Sequence, residues 1–133
     1  AIGGVSSDGF MNVGGATIGK INGKMYAIDH LCNGKSHKLL LQVEISRSNG
    51  VPQWKTLDVL LIPVGSESLE IISGESSYCR MNGKLDPELV CLAAVTEEEF
   101  WNSTKSWRAN RSTGKFQLLR KGKITCENPG YGV

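Results

Sequence analysis

Histidine is the side chain best suited to acid–base chemistry near neutral pH, and the sequence contains two, His30 and His37. His30 follows Asp29 and precedes Cys32 by two residues, so it could be a base oriented by Asp29 or a metal ligand beside the thiol. In an extended segment, however, Asp29 and His30 point to opposite faces, whereas His30 and Cys32 share one. A disulfide at Cys32 would also remove its thiolate. We therefore expect both histidines to be polar residues beside a turn, and we predict neither a metal site nor a cofactor.

The cysteines are even in number and include no C-x-x-C pair, which argues against a zinc ribbon and a thioredoxin-like site. The residues are Cys32, Cys79, Cys91 and Cys126. We predict that all of them form disulfides, and the connectivity stays open. The alternative is a cytosolic protein whose buried thiols act as small apolar side chains.

Other catalytic signatures are weak or absent from the sequence. Ser112 and Lys115 match the S-x-x-K spacing of penicillin-recognising enzymes, but they lie in a predicted turn and lack the companion motifs. The chain contains no nucleophile elbow, phosphate-binding loop, dinucleotide fingerprint or H-E-x-x-H helix. Asn102 and Asn110 each begin a glycosylation sequon, which has meaning only in a eukaryotic source. No local motif therefore predicts an enzyme activity.

Charge is unevenly distributed in the second half of the chain. Eight acids and two bases lie between Ser66 and Trp101, whereas seven bases and one acid follow Asn102. The predicted binding set comprises Lys105, Arg108, Arg111, Arg120, Lys121 and Lys123. One interpretation is an exposed basic surface for an anionic polymer, an envelope surface or an acidic protein. The other is that neighbouring strands pair these bases with the acids, while Trp107 and Phe116 point into the core.

Turn-forming residues indicate a series of hairpins. Asn22-Gly23 and Asn49-Gly50 each separate two segments of alternating polarity, and Asn-Gly favours the two positive φ angles of a type I′ turn. A third hairpin is predicted around the loop Arg111 to Gly114, whose glycine suits the left-handed position of a bulge. Asn33-Gly34 and Asn82-Gly83 indicate further turns.

Two segments combine strand and helix signals. The apolar run from Leu89 to Val95 suits a central strand, although Asp86-Pro87-Glu88 before it is typical of a helix start. We favour the strand because the run is short. Thr96 and Glu99 have the spacing of a capping box, which predicts a short helix.

Strands with turn signals at a spacing of roughly 8 to 12 residues predict a mainly β fold. An antiparallel meander could form a small sandwich, a barrel or a strongly twisted sheet, with at most one or two short helices. The phases of the strands place a set of apolar side chains in the core. These are Leu41, Val43, Ile45, Val59, Leu61, Val90, Leu92, Trp107 and Phe116.

A chain of 133 residues suffices for one hydrophobic core, so we predict a single domain over residues 1–133. No apolar run approaches the roughly 20 residues of a transmembrane helix. The sequence starts at Ala1 without methionine, as it would after removal of a signal peptide. Together with the cysteines, this predicts an extracytoplasmic protein, either periplasmic or secreted.

Several short motifs from Cys79 onward resemble a group of small uncharacterised exported bacterial proteins. The motifs are Asn82-Gly83-Lys84, Asp86-Pro87-Glu88, Trp107-Arg108-Ala109, Thr113 to Phe116 and Cys126 to Gly132. The resemblance implies a periplasmic or surface location. It implies no activity, substrate or site residue.

We expect a binding, inhibitory or accessory module that works outside the cytoplasm and possesses a basic C-terminal surface. The first alternative is a small enzyme, such as a hydrolase, with a site assembled from residues distant in sequence. The second is a structural component of the cell envelope. A concave pocket with converging polar groups would favour the enzyme, and a convex surface would favour the binding module.

Overall fold

The computed structural model describes residues 9–65, 69–74 and 78–131. Within these ranges the chain forms strands and turns, and no helix occurs. The strands are β1 (Met11–Ile21), β2 (Lys24–Cys32), β3 (Ser36–Ser48), β4 (Val51–Pro63), β5 (Leu69–Ser73), β6 (Cys79–Met81), β7 (Lys84–Leu85), β8 (Leu89–Ala94), β9 (Phe100–Asn110), β10 (Lys115–Leu119) and β11 (Ile124–Glu127). The predicted mainly β class is confirmed.

The first sheet is an antiparallel meander in the order β1-β2-β3-β4. Asn22 and Gly23, with φ of 52° and 76°, form the turn between β1 and β2. Asn49 and Gly50, with φ of 52° and 78°, join β3 to β4 in the same way. Both hairpins lie where the Asn-Gly pairs predict them, because asparagine and glycine tolerate the left-handed conformation that such turns require.

The second sheet has the order β5-β8-β9-β11-β6-β7, and β10 also pairs with β9. The long strand β9 organises it: one edge pairs with β8, and the other pairs with β11 near Phe100 and with β10 near Asn110. The predicted hairpin of β9 and β10 is confirmed, with Gly114 at a φ of 73°. The two sheets do not close into a barrel.

The core lies between the sheets, where side chains of the two inner faces meet. Its main cluster joins Ile18, Ile28 and Leu39 of the first sheet to Val90 and Trp107 of the second. The arrangement is therefore an open sandwich, one of the three architectures that the strand pattern allowed. Most predicted core residues belong to this cluster or pack against it, namely Leu41, Val90, Leu92, Trp107 and Phe116, and Val43 is also buried.

The core assignment of Ile45, Val59 and Leu61 is wrong, since these side chains are 61%, 48% and 59% exposed. The run from Val59 to Ile62 is apolar in both phases, so only the pairing with β3 decides which phase faces inward. Leu39 pairs with Leu60, which places Leu60 and Ile62 inside. A register shift between Glu44 and Ser46 leaves Ile45 outside the ladder.

The predicted helix at Thr96 is also wrong, because residues 97–99 form bends ahead of β9. Other groups take the hydrogen bonds that a helix would use. The Thr96 carbonyl accepts bonds from Trp101 Nε1 at 2.9 Å and from Asn128 Nδ2 at 3.2 Å. Burial of Trp101 in the sheet thus outweighs the local capping signal.

The strand predicted at Leu89 is confirmed as β8. The segment Asp86-Pro87-Glu88 before it does not start a helix. Instead, the Asp86 side chain bonds to a nearby backbone amide, since its Oδ1 accepts a hydrogen bond from the Glu88 N–H at 3.1 Å. None of the described residues belongs to a helix with the length and apolarity needed to cross a bilayer.

Candidate functional site

The two histidines lie on neighbouring strands and contact each other. His30 Nε2 and His37 Nδ1 are 2.9 Å apart. Burial lowers the pKa of both rings, and for His30 the proximity of His37 lowers it further while Asp29 opposes the shift. Asp29 itself accepts a bond from Asn12 Nδ2 at 2.6 Å, so it does not orient the His30 ring. At neutral pH the rings form an uncharged pair, one nitrogen donating and the other accepting.

The cysteines follow the prediction only in part. Cys79 and Cys126 face each other on β6 and β11 and form a disulfide. The expectation of disulfides at Cys32 and Cys91 is wrong, because both are free. Cys32 ends β2 in the first sheet, where its Sγ accepts the Gly34 amide at 3.4 Å, whereas Cys91 is buried in the second sheet.

Two members of the predicted binding set, Arg108 and Arg111, belong to an ionic cluster with Asp86 and Glu88. Arg108 Nη1 lies 2.6 Å from Asp86 Oδ2 and 3.2 Å from Glu88 Oε1. Arg111 Nε lies 2.7 Å from Glu88 Oε2, and its Nη1 donates to the Ile18 carbonyl of the first sheet at 2.9 Å. These two bases therefore pair with acids of the preceding segment, and Arg111 also connects the two layers.

Glu88 is the centre of this ionic cluster and is only 8% exposed. Burial alone would raise the pKa of its carboxyl, but hydrogen bonds from Arg111 and Arg108 outweigh burial and lower the pKa. Burial likewise acts to lower the pKa of Arg108, and the bonds to Asp86 and Glu88 reverse this to a net rise. Glu88 and Arg108 therefore both stay ionised at neutral pH.

The other four bases of the predicted set have no carboxylate within ion-pair distance among the residues that the structure describes. Lys105 lies over the Trp107 ring, 5.5 Å from its centroid, beside an apolar cavity of about 330 Å³ that His37 also lines. Arg120, Lys121 and Lys123 lie in or beside the exposed turn that joins β10 to β11. The set thus divides among three places and does not form one surface. Two of the acids, Glu67 and Glu75, lie outside the described residues.

Lys123 borders an open groove of about 480 Å³ on the outer face of β6, β11 and β9. Arg80, Thr125 and Asn102 lie side by side across these strands, because Thr125 pairs with both neighbours. The neighbouring residue in each strand points to the opposite face of the sheet and is buried there. These neighbours are Cys79, Cys126 and Trp101. The remaining lining residues are Gly83, Glu98, Glu99 and Phe100.

Charged and aromatic groups of the groove contact one another. The Arg80 guanidinium lies 5.5 Å from the centroid of the Phe100 ring, and its Nη1 is 3.1 Å from Glu127 Oε2. Phe100 remains 40% exposed. The groove can therefore offer a partner an aromatic ring, amide and hydroxyl groups, and two cations.

Backbone contacts bring more bases to the same end of the sheet. The Asn82 amide donates to the Lys123 carbonyl at 2.8 Å, and Asn82 Oδ1 accepts the Lys123 amide at 2.9 Å. The turn before β7, where Lys84 begins, thus adjoins the turn that carries Arg120 and Lys121. We call Arg80, Lys84, Arg120, Lys121 and Lys123 the groove cations. Three carboxylates, Glu98, Glu99 and Glu127, lie among them. Arg80 and Lys123 line the groove itself, and the positive surplus comes from Lys84, Arg120 and Lys121 on the adjoining turns.

Sequence analysis identified three groove cations and missed Arg80 and Lys84. These two residues belong to the segment between Ser66 and Trp101, whose net charge is negative, so a count along the sequence obscures them. The Asn82-Gly83 turn was a usable signal, because a hairpin there places Lys84 beside a partner strand. That partner strand is β6, whereas β11, which pairs with the other edge of β6, lies more than forty residues further along the chain and leaves no local trace.

Comparison of the chain with protein-family models, with curated proteins and with solved structures found no match.

Proposed function

We propose that the protein is an exported binding module whose groove and groove cations recognise an anionic polymer. The observation that carries this proposal is the meeting of the turns at Asn82 and Lys123, which gathers cations from two separate segments around an open groove. Such a cluster attracts polyanions over roughly 10 Å at 0.1 M salt.

The lining of the groove supports a polymer with polar repeating units. Asn102 and Thr125 supply donors and acceptors for hydroxyl or amide groups, and the face of Phe100 supplies an apolar platform. Glu98 and Glu99 line the same groove and would repel a uniformly charged chain. We therefore favour a polymer that alternates charged and neutral units, such as an acidic polysaccharide.

A binding role is also supported over a hydrolytic one by the groups at hand. Among the residues that line the groove, none is a histidine, cysteine or serine, so the nucleophile and base pair of a serine or cysteine hydrolase is not present there. Export is supported by the Cys79–Cys126 disulfide, since disulfides persist mainly outside the reducing cytosol.

Charge reversal in the groove tests the proposal. We expect Lys121→Glu with Lys123→Glu to weaken binding to hyaluronate, in which a carboxylated sugar alternates with a neutral one, by about tenfold or more at low salt, because two attractive contacts become repulsive. Binding by the unmodified protein should weaken steeply between about 0.05 M and about 0.3 M salt. Uncharged dextran should not compete.

The matched control is Lys20→Glu with Lys24→Glu, which makes the same change in net charge at the β1–β2 turn of the other sheet. It should leave hyaluronate binding nearly unchanged. An equal loss in both variants would mean that only the total charge matters and would contradict a site at the groove. Binding that is insensitive to salt would contradict the proposal as well.

A further inference from the structure

Three of the four cysteines converge in the interior of the second sheet. Cys79 on β6 and Cys126 on β11 are direct cross-strand partners, with Cα atoms 4.0 Å apart. Cys91 comes from β8, which reaches the same point from the other side of β9. The three Sγ atoms all lie within 4.8 Å of one another. Among the described residues, this is the only group of three potential metal ligands at such distances.

The surroundings of the three sulfurs are closed and largely apolar. The cysteines are 3%, 0% and 0% exposed, and Leu89 and Ile124 complete their cluster. Burial raises the pKa of Cys91 to about 11, although hydrogen bonds from Ser106 and Ser103 oppose the rise. In the oxidised protein Cys91 is thus a protonated thiol beside a disulfide that occupies the other two sulfurs.

Reduction changes the chemistry of this cluster. A phosphine gives two electrons to the disulfide and becomes the phosphine oxide, while water supplies that oxygen and the two protons. Cleavage of the S–S bond then leaves three thiols around one point. A metal–sulfur bond of about 2.3 Å places the sulfurs that share one ion roughly 4 Å apart. All three Sγ atoms lie within 4.8 Å of one another, so Cys91 already stands in this range, and the Cys79 and Cys126 sulfurs separate once their bond is cleaved.

We infer that the reduced protein binds one divalent d¹⁰ ion, Zn²⁺ or Cd²⁺, through Cys79, Cys91 and Cys126. Thiolates are the ligands that such soft or borderline ions prefer. Binding releases three protons as three thiols become thiolates, which leaves a complex with one net negative charge. A monovalent ion would leave two negative charges in an apolar interior, so the divalent ion fits better. The disulfide and the metal complex exclude each other, because both use Cys79 and Cys126.

The test uses the whole protein, which is first reduced with a phosphine. The phosphine is then removed under anaerobic conditions, and the protein is titrated with Cd²⁺. We expect one Cd²⁺ per chain in the reduced protein, detected by the ultraviolet thiolate-to-cadmium charge-transfer band, and none in the oxidised protein. Removal of a mere outer-shell partner costs about 10-fold to 100-fold in metal affinity, so Cys91→Ser should weaken binding by at least about 100-fold.

Cys32→Ser is the matched control, because Cys32 lies in the other sheet and outside the cluster. It should bind Cd²⁺ as the unmodified protein does. With Cd²⁺ bound, alkylation should reach Cys32 and spare the other three cysteines. The inference is overturned if the reduced protein does not bind Cd²⁺, or if Cys91→Ser binds it as tightly. It is also overturned if reduction unfolds the chain and Cd²⁺ does not restore the fold.

Discussion

The basic residues of the C-terminal segment occupy two contrasting environments. Arg108 and Arg111 are partly buried in the ionic cluster, where Asp86 and Glu88 neutralise them between the sheets. Lys121 and Lys123 are exposed at the groove, with no carboxylate of the described residues in ion-pair range. Both pairs of basic residues come from the same C-terminal stretch of sequence, and all of them carry a positive charge. The strand that lies opposite each base therefore decides whether it stabilises the fold or remains free to bind a partner.

Neutralising Glu88 is the strongest way to test the structural side of this contrast. Glu88→Gln leaves two partly buried guanidinium groups without their shared counter-charge, and breaking a buried pair in this way costs about 3 to 5 kcal/mol of unfolding free energy. Glu97→Gln, an exposed site before β9, should change the stability by less than about 0.5 kcal/mol. Urea unfolding measures both. A Glu88→Gln variant as stable as the Glu97→Gln control would show that the ionic cluster does not hold the sheets together.

Acidification should remove the same contribution without a mutation. Because hydrogen bonds from the arginines lower the Glu88 pKa in the folded state, the unfolded chain takes up the proton first as the pH falls. The stabilisation is therefore complete above the ordinary value of 4.5 and is lost as the pH falls from there through the folded pKa. The stability difference between the unmodified protein and Glu88→Gln should shrink over that range.

The two histidines also make the stability depend on pH, and they do so equally in the unmodified protein and in Glu88→Gln. Burial lowers the pKa of His30 and His37, so the unfolded chain binds their protons more readily and stability declines as the pH falls below 6.5. Subtracting the unfolding free energy of one protein from that of the other at each pH removes the contribution of the histidines. A difference that stays constant from neutral pH to well below 4.5 would contradict the assignment to the Glu88 carboxylate.

The contrast also explains what the sequence could predict. Asn-Gly pairs set the hairpins, and strict alternation placed Leu41 and Val43 in the core, because local chemistry decides both. Leu60 and Leu61 are chemically identical, and only the pairing with β3 determines which of them points inward.

The candidate site was less accessible to sequence analysis for the same reason. Arg80 reaches the groove through a strand pairing with Thr125, and Arg108 leaves the binding set because Asp86 lies beside it. Cys91 joins Cys79 and Cys126 only through the course of β9, so no spacing of cysteines reveals the cluster. Residue types were therefore predictable, but their partners depend on contacts between distant strands.

The smallest expected effect concerns the free bases. Lys121→Gln with Lys123→Gln should change the unfolding free energy by no more than about 0.5 kcal/mol, because exposed side chains without ionic partners contribute little to stability. Glutamine retains the length of the side chain, and the bonds between Lys123 and Asn82 use the backbone of Lys123, so the turn should persist. Lys55→Gln, an exposed position on β4, is the control for the loss of a lysine charge. A loss above about 1 kcal/mol in the double variant alone would mean that these bases also stabilise the fold, and the division between structural and binding bases would then fail.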